Sequence, residues 1–92
     1  MPVLSKFFGI VIRMLFAYPL APNFHASFGD TELVVSIRPV RIIQGDAPSA
    51  VRLMVLTWAM EHQQELLEAW KRCQNHKPAV RIDPLWTPAS VR

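Results

Sequence analysis

The side chains best suited to chemistry in this sequence lie around His25, within residues 22–30. On a β-strand, alternation places Asn23, His25 and Ser27 on one face, which is therefore polar. An imidazole titrates near neutral pH, so this group could hold a phosphate or serve as a general acid or base. The alternative is a structural or solvent-facing histidine that hydrogen-bonds within the sheet. His25 is the candidate catalytic residue, and both roles stay open.

Cleavage of RNA at this position needs cations that bind phosphate and a second acid–base group. Three arginines lie on strands predicted to neighbour the histidine and are the candidate nucleic-acid-binding residues: Arg13, Arg38 and Arg41. Glu32, two residues after the predicted turn, is the most plausible carboxylate near the hairpin. The alternative role for all four side chains is solvated surface charge.

Other chemical signals are sparse. Cys73 and His76 have the spacing of metal ligands, but no second pair accompanies them, so we predict no metal site. The sequence has no glycine-rich phosphate loop and no nucleophile elbow, and we predict no cofactor. Because Cys73 is the only cysteine, it forms no internal disulfide, which fits a reducing cytoplasm.

Size and composition limit the chain to one small domain. It has 92 residues, a net charge of +3 and a pI of about 9.6. Its hydrophobic content is 51%, against about 45–50% in typical globular proteins. A small domain has much surface to cover, so this excess indicates a rich core or apolar surface that meets another chain.

Prolines and glycines divide the first half of the chain into strands. The apolar run at 7–20 could be read as a signal peptide, but Arg13 interrupts it and it is too short to span a membrane. We therefore interpret residues 7–16 as one buried strand with apolar residues on both faces. Gly29-Asp30 predicts a two-residue hairpin turn. The remaining predicted strands are 24–28, 31–38 and 40–44, with a possible edge strand at 79–83.

The second half predicts a long helix over residues 48–74 that carries two apolar stripes. One stripe contains Trp58 and suits packing on the sheet. The opposite stripe consists of Leu53, Leu56, Met60 and Leu67. Either the C-terminal residues around Ile82 fold back over this second stripe, or a partner protein covers it.

Several stretches of the sequence have a distinctive order and spacing. They are Met1-Pro2, Phe8-Gly9-Ile10-Val11-Ile12, Pro22-x-Phe24-His25-Ala26, Gly29, Glu65-Leu66-Leu67-Glu68-Ala69-Trp70 and Ile82-Asp83-Pro84-Leu85. Together they resemble the small bacterial family called domain of unknown function 4160, over residues 1–86. That family usually reads Pro-Pro-His-Phe-His-Ala, whereas this chain has Ala21 and Asn23 at the first proline and first histidine. The resemblance implies that this protein is encoded beside a second small protein of unknown function. The two proteins would form a toxin–antitoxin-like pair.

These observations predict an α+β fold, with a small antiparallel sheet of three to five strands and one long C-terminal helix packed across it. We expect a single domain over residues 1–86 and a frayed tail at 87–92. The expected function is that of a cytoplasmic bacterial protein acting through protein–protein association, with a second copy or a cognate small protein in a toxin–antitoxin-like module. The alternatives are a non-catalytic binding or inhibitor protein of phage or plasmid type, and a small ribonuclease-like toxin using His25. RNA is an alternative partner class with weaker support than a protein, and no membrane partner is expected.

Overall fold

The computed structural model describes residues 2–17 and 20–85, and this part of the chain forms five strands followed by two helices. The strands are β1 (Val3–Phe7), β2 (Ile10–Arg13), β3 (Asn23–Phe28), β4 (Thr31–Ile37) and β5 (Val40–Asp46). The helices are α1 (Ser49–Glu61) and α2 (Gln63–Gln74). Neighbouring strands pair antiparallel in the order β1-β2-β3-β4-β5. The predicted α+β class with an antiparallel sheet is confirmed.

The β3–β4 hairpin forms where the sequence predicts it. Phe28 pairs with Thr31, and Gly29 between them has a φ of 56°, a conformation that glycine adopts without steric cost. Along β4, Leu33 and Val35 are fully buried, while Glu32, Val34 and Ser36 face outward. This alternation is typical of an antiparallel strand with one covered face.

The prediction of a single strand over residues 7–16 is wrong, because the chain reverses direction at Phe8-Gly9. Phe7 pairs with Ile10 across a two-residue turn in which Phe8 and Gly9 have φ values of 51° and 80°. Two positive φ values are the signature of a type I′ turn, which matches the twist of the flanking strands. Of the predicted strand, only Phe7 lies in β1 and residues 10–13 form β2, while Phe8 in the turn and Leu15 after β2 are exposed.

The core lies between the sheet and the helices, centred on Trp58 of α1. This side chain is fully buried, and its ring centroid lies 5.5 Å from that of Phe7 and 5.7 Å from that of Phe24. α1 packs mainly on β5, and α2 packs on β4. Both helices therefore cover the same face of the sheet, and the opposite face is left open by the residues that the structure describes.

The single long helix is also a prediction that the structure corrects. The helix is divided at His62, whose backbone leaves the helical region with φ −115° and ψ 24°. Side chains fix the break: His62 Nδ1 lies 2.6 Å from Glu65 Oε1, and Gln63 Nε2 donates to the Ile37 backbone oxygen at 2.8 Å. The Gln63 bond ties the start of α2 to the end of β4, and the His62–Glu65 contact lies within the first turn of α2.

The segment after α2 runs against the edge of β1 without forming the predicted strand at 79–83. Its Ile82 is buried, and the Ile82 N–H donates to the Leu4 carbonyl at 2.8 Å. Trp58 Nε1 donates to the Asp83 carbonyl, also at 2.8 Å. The segment thus closes one edge of the core. The tail predicted at 87–92 lies outside the described residues.

No helix in the described ranges combines the length and the apolar character needed to cross a membrane.

Candidate functional site on the open sheet face

The open face of the sheet carries the polar side chains singled out in the sequence. His25 and Ser27 of β3 point away from the core, whereas Phe24 and Ala26 are buried in it. The predicted polar face of β3 therefore exists. Asn23 also lines this side of the sheet, but it is buried, and its Nδ2 donates to the Ala21 carbonyl at 2.9 Å.

Strand register brings His25 beside a carboxylate. His25 pairs with Val34, and Ser27 pairs with Glu32, so Glu32 sits diagonally across from the imidazole on β4. His25 Nδ1 lies 3.4 Å from Glu32 Oε2, at the long end of hydrogen-bond distance. The side chains are 24% and 52% exposed, so both groups reach solvent. Glu32 is the carboxylate that the sequence analysis selected near the Gly29-Asp30 turn.

His25 also lines a shallow groove of about 430 Å³ on the same face. The groove is bounded by the segment before β3 and by outward residues of β3, β4 and β5. Its lining is Leu20, Ala21, Pro22, Asn23, His25, Val34, Ser36, Arg41, Ile43 and Gln44. Glu32 is outside this set. His25 is therefore the residue of this pair that both contacts the carboxylate and lines the groove.

Two of the three predicted arginines lie on this face. Arg13 of β2 is the register partner of His25, and Arg41 of β5 lines the groove. Arg38 does not join them, because it sits in the β4–β5 turn and lines a separate cavity near Trp70. Lys6 of β1, which was not singled out from the sequence, pairs with Val11 and faces outward beside Arg13.

The other carboxylate of this face is already paired with a cation. Asp46 is the register partner of Glu32, and its Oδ1 accepts bonds from the Ala47 N–H and from Arg52 Nη1, both at 2.8 Å. The Ala47 N–H, and then the Arg52 guanidinium, hold the pKa of Asp46 below its ordinary value. Arg52 thus offsets this negative charge, and Glu32 is the carboxylate that acts on His25.

The predicted partner-binding residues are divided between two environments. Leu53 and Met60 of α1 are 67% and 70% exposed, one above the other at a spacing of seven residues. Leu56 and Leu67 are partly buried and pack against the core. The break at His62 separates Leu67 from the α1 residues, so the exposed apolar patch consists of Leu53 and Met60.

Metal-ligand geometry does not arise in the part of the chain that the structure describes. Within it, no three His, Cys, Asp or Glu side chains are grouped to hold an ion. Cys73 and His76 line a cavity beside α2 together with Lys77, whose cation disfavours a metal ion there. His62 is engaged by Glu65 and by the Trp58 ring, at a centroid distance of 5.4 Å.

Sequence reasoning missed the apolar part of the groove. Leu20 precedes β3, and Ile43 lies where the β4–β5 register shifts, between the pairs Val34–Gln44 and Val35–Ile42. The shift adds one residue to β5 and turns Ile43 toward the open face. The only signal for this arrangement in the sequence is Gly45, and a single glycine does not locate a bulge.

Comparison with known proteins identifies a family and nothing closer. A family model described as "Domain of unknown function (DUF4160)" matches residues 9–71. Neither the curated proteins nor the solved structures contain a match to this chain. The family model covers β2 to β5, α1 and most of α2, and therefore includes both the open sheet face and the exposed residues of α1.

Proposed function

The chain belongs to the DUF4160 family, and we propose that it acts by associating with a partner protein, as one member of a toxin–antitoxin-like two-protein module. The observation that carries this proposal is the exposure of Leu53 and Met60, at 67% and 70%, on a helix whose opposite side is fully buried at Val55 and Trp58. An apolar patch on a helix already packed in a core has no further role in folding.

Covering this patch contributes substantially to the free energy of association. Burying a leucine or methionine side chain fully is worth about 1.5–3 kcal/mol. Two such side chains, each roughly two-thirds exposed, can therefore contribute about 2–4 kcal/mol to association, or a factor of about 30–1,000 in affinity. Neighbouring exposed positions on α1, such as Ala50 and Thr57, are small and let another helix approach closely.

A cognate small protein is the partner we propose, with the open reading frame adjacent to the gene as its source. A second copy of this chain would use the same patch, and it is the competing outcome. The C-terminal segment does not replace a partner, because its described residues lie against β1 and Trp58 while Leu53 and Met60 stay exposed.

The experiment measures the affinity of the adjacent gene's product for the purified chain by isothermal titration calorimetry. The double variant Leu53→Glu/Met60→Glu places two charges in the patch and should weaken binding at least 30-fold, with an unchanged melting temperature. Val80→Glu is the matched control, since Val80 is 57% exposed and belongs to the C-terminal segment. Equal affinities for the double variant and the control would refute the proposal, as would a wild-type chain that binds only itself.

A further inference from the structure

We propose that the groove beside His25 is a site for single-stranded RNA, in which His25 acts as general base for cleavage of a phosphodiester bond. The site lies on the open sheet face, away from Leu53 and Met60, and it does not depend on the association proposed above. Its substrate class follows from three features: the charge of the face, the hydrogen bonding of the imidazole and the lining of the groove.

The charge of the open face favours a polyanion. Lys6, Arg13 and Arg41 all lie on this face, on β1, β2 and β5. Glu32 carries the opposing negative charge on this face, since the charge of Asp46 is offset by Arg52 at 2.8 Å. The face is thus positive even with His25 neutral, in a chain of net charge +3. Arginine guanidinium groups bind phosphate through paired hydrogen bonds.

The hydrogen bonding of the imidazole suits it to proton transfer, because Glu32 engages one of its two nitrogens. Glu32 Oε2 engages Nδ1 at 3.4 Å, which favours the tautomer that carries its proton on Nδ1. Within residues 2–17 and 20–85, Nε2 makes no hydrogen bond, and His25 is one of the residues that line the groove, whereas Glu32 is not. A base held by a carboxylate at one nitrogen, with no hydrogen bond at the other, follows the logic of catalytic triads.

RNA supplies the nucleophile that this site lacks. Nε2 of His25 takes the proton of a ribose 2′-hydroxyl, the 2′-oxygen forms a bond to phosphorus, and the bond from phosphorus to the 5′-oxygen breaks. The departing 5′-oxygen takes a proton from water, and the imidazolium returns its proton to the resulting hydroxide. The products are a 2′,3′-cyclic phosphate and a 5′-hydroxyl end. Arg41 stabilises the charge that accumulates on the phosphoryl oxygens.

The groove lining accommodates a base next to the phosphate. Leu20 and Ile43 are exposed apolar residues that border the same groove as Arg41. Ser36, Asn23 and Gln44 supply hydrogen-bonding groups beside them. A strand of alternating phosphates and flat apolar bases matches this mixture, whereas a duplex would bury its bases away from Leu20 and Ile43.

The test uses the full chain with a fluorescent 12-nucleotide RNA, and with an all-DNA oligonucleotide of the same sequence. Mass spectrometry identifies the product ends. We expect cleavage of the RNA alone, with a cyclic phosphate at the new 3′ end. His25→Ala should lower the rate at least 100-fold, with RNA affinity and melting temperature changed little. His76→Asn is the matched control, because His76 is exposed and asparagine tolerates its φ of 56°.

Binding gives the second readout. Arg41→Ala should weaken RNA affinity and lower the salt dependence of binding by about one phosphate contact, whereas Arg81→Ala, at an exposed position on the C-terminal segment, should do neither. Cleavage that persists in His25→Ala overturns the assignment of the base. The site itself is overturned if Arg41→Ala binds RNA as the Arg81→Ala control does, or if the wild-type chain neither binds nor cuts the RNA.

Discussion

Gly45 of β5 offers a sharp test of how the sheet positions Glu32. Its φ is +87°, and a Cβ added to it would collide with the backbone oxygen of Glu32 and lie 3.1 Å from the carbonyl carbon. Real Cβ atoms do not overlap backbone in this way, so Gly45→Ala must push β5 away from β4 at Glu32. Gly29 is the matched control, because its φ is +56° and a Cβ added there would meet nothing within 4 Å.

The two substitutions separate conformational cost from steric cost. Placing an L-residue in the left-handed region costs about 1–2 kcal/mol, and Gly29→Ala should lose no more than that. Gly45→Ala carries the same cost plus one or two broken ladder hydrogen bonds, each worth about 0.5–1.5 kcal/mol, and the strain of moving the backbone. The first two contributions sum to about 1.5–5 kcal/mol and the strain adds to them, from a total stability of about 5–14 kcal/mol for a domain of this size.

Urea unfolding followed by circular dichroism measures both free energies of unfolding, and thermal scans add the melting temperatures. At about 4–8 °C per kcal/mol, Gly45→Ala should lower the melting temperature by at least about 6 °C and by more than Gly29→Ala, which should lower it by about 4–16 °C. Because Gly45→Ala shifts Glu32, it should also change the NMR signals of the His25 ring, which Gly29→Ala should leave in place. Equal losses of stability in the two variants would refute the close approach of β5 to Glu32.

Two further predictions concern the C-terminal segment and acid stability. Trp58→Phe keeps an aromatic ring in the core but removes the Nε1–H bond to the Asp83 carbonyl. It should lower the free energy of unfolding by about 1–3 kcal/mol, through the lost bond and the smaller ring. Hydrogen exchange at the Ile82 amide should become faster, and an unchanged exchange rate would contradict the role of Trp58 in holding the C-terminal segment. Asp46 has a folded-state pKa below its ordinary value of 3.8, so its contribution to stability is complete above about pH 4 and is lost as pH falls through the lower folded-state pKa. Asp46→Asn should therefore unfold at lower urea concentration than wild type at pH 6, with the difference shrinking toward pH 2, and a difference independent of pH would contradict the Asp46 interactions.

The β3–β4 hairpin was predictable because its information is local. Gly29-Asp30 marks the turn, and alternation along β4 separates Leu33 and Val35 from Glu32. A two-residue turn fixes the register of both strands. The proximity of Glu32 to His25 follows from that register, so this half of the candidate site was accessible from the sequence.

The β1–β2 turn and the helix break were not predictable in the same way. Phe8 adopts a positive φ of 51°, which is uncommon for a bulky residue, and it sits in a continuous apolar run that predicts a strand. His62 ends α1 without a proline or glycine to mark the break. Its conformation depends on Glu65 and on the contact of Gln63 with Ile37, which are products of the tertiary fold.

The side of the groove that β5 forms depends on the bulge in that strand, and for that reason the sequence did not predict it. Arg41 was selected from the sequence for its charge alone, and the structure places it on the groove through the pairing of Ser36 with Arg41. Arg38, selected on the same ground, falls in the turn and outside the groove. Charge and predicted strand order therefore identify candidates, but only the register decides which of them share a site.

The central claim, that a partner protein covers the exposed side of α1, is tested most directly by NMR of ¹³C-methyl-labelled methionines during titration with the adjacent gene's product. Met60 is 70% exposed and Met14 is 1% exposed, so the two methyl groups report the patch and the core separately. We predict that the Met60 signal shifts and broadens to saturation while the Met14 signal stays in place. A Met60 signal that is unchanged at saturating partner would contradict the account.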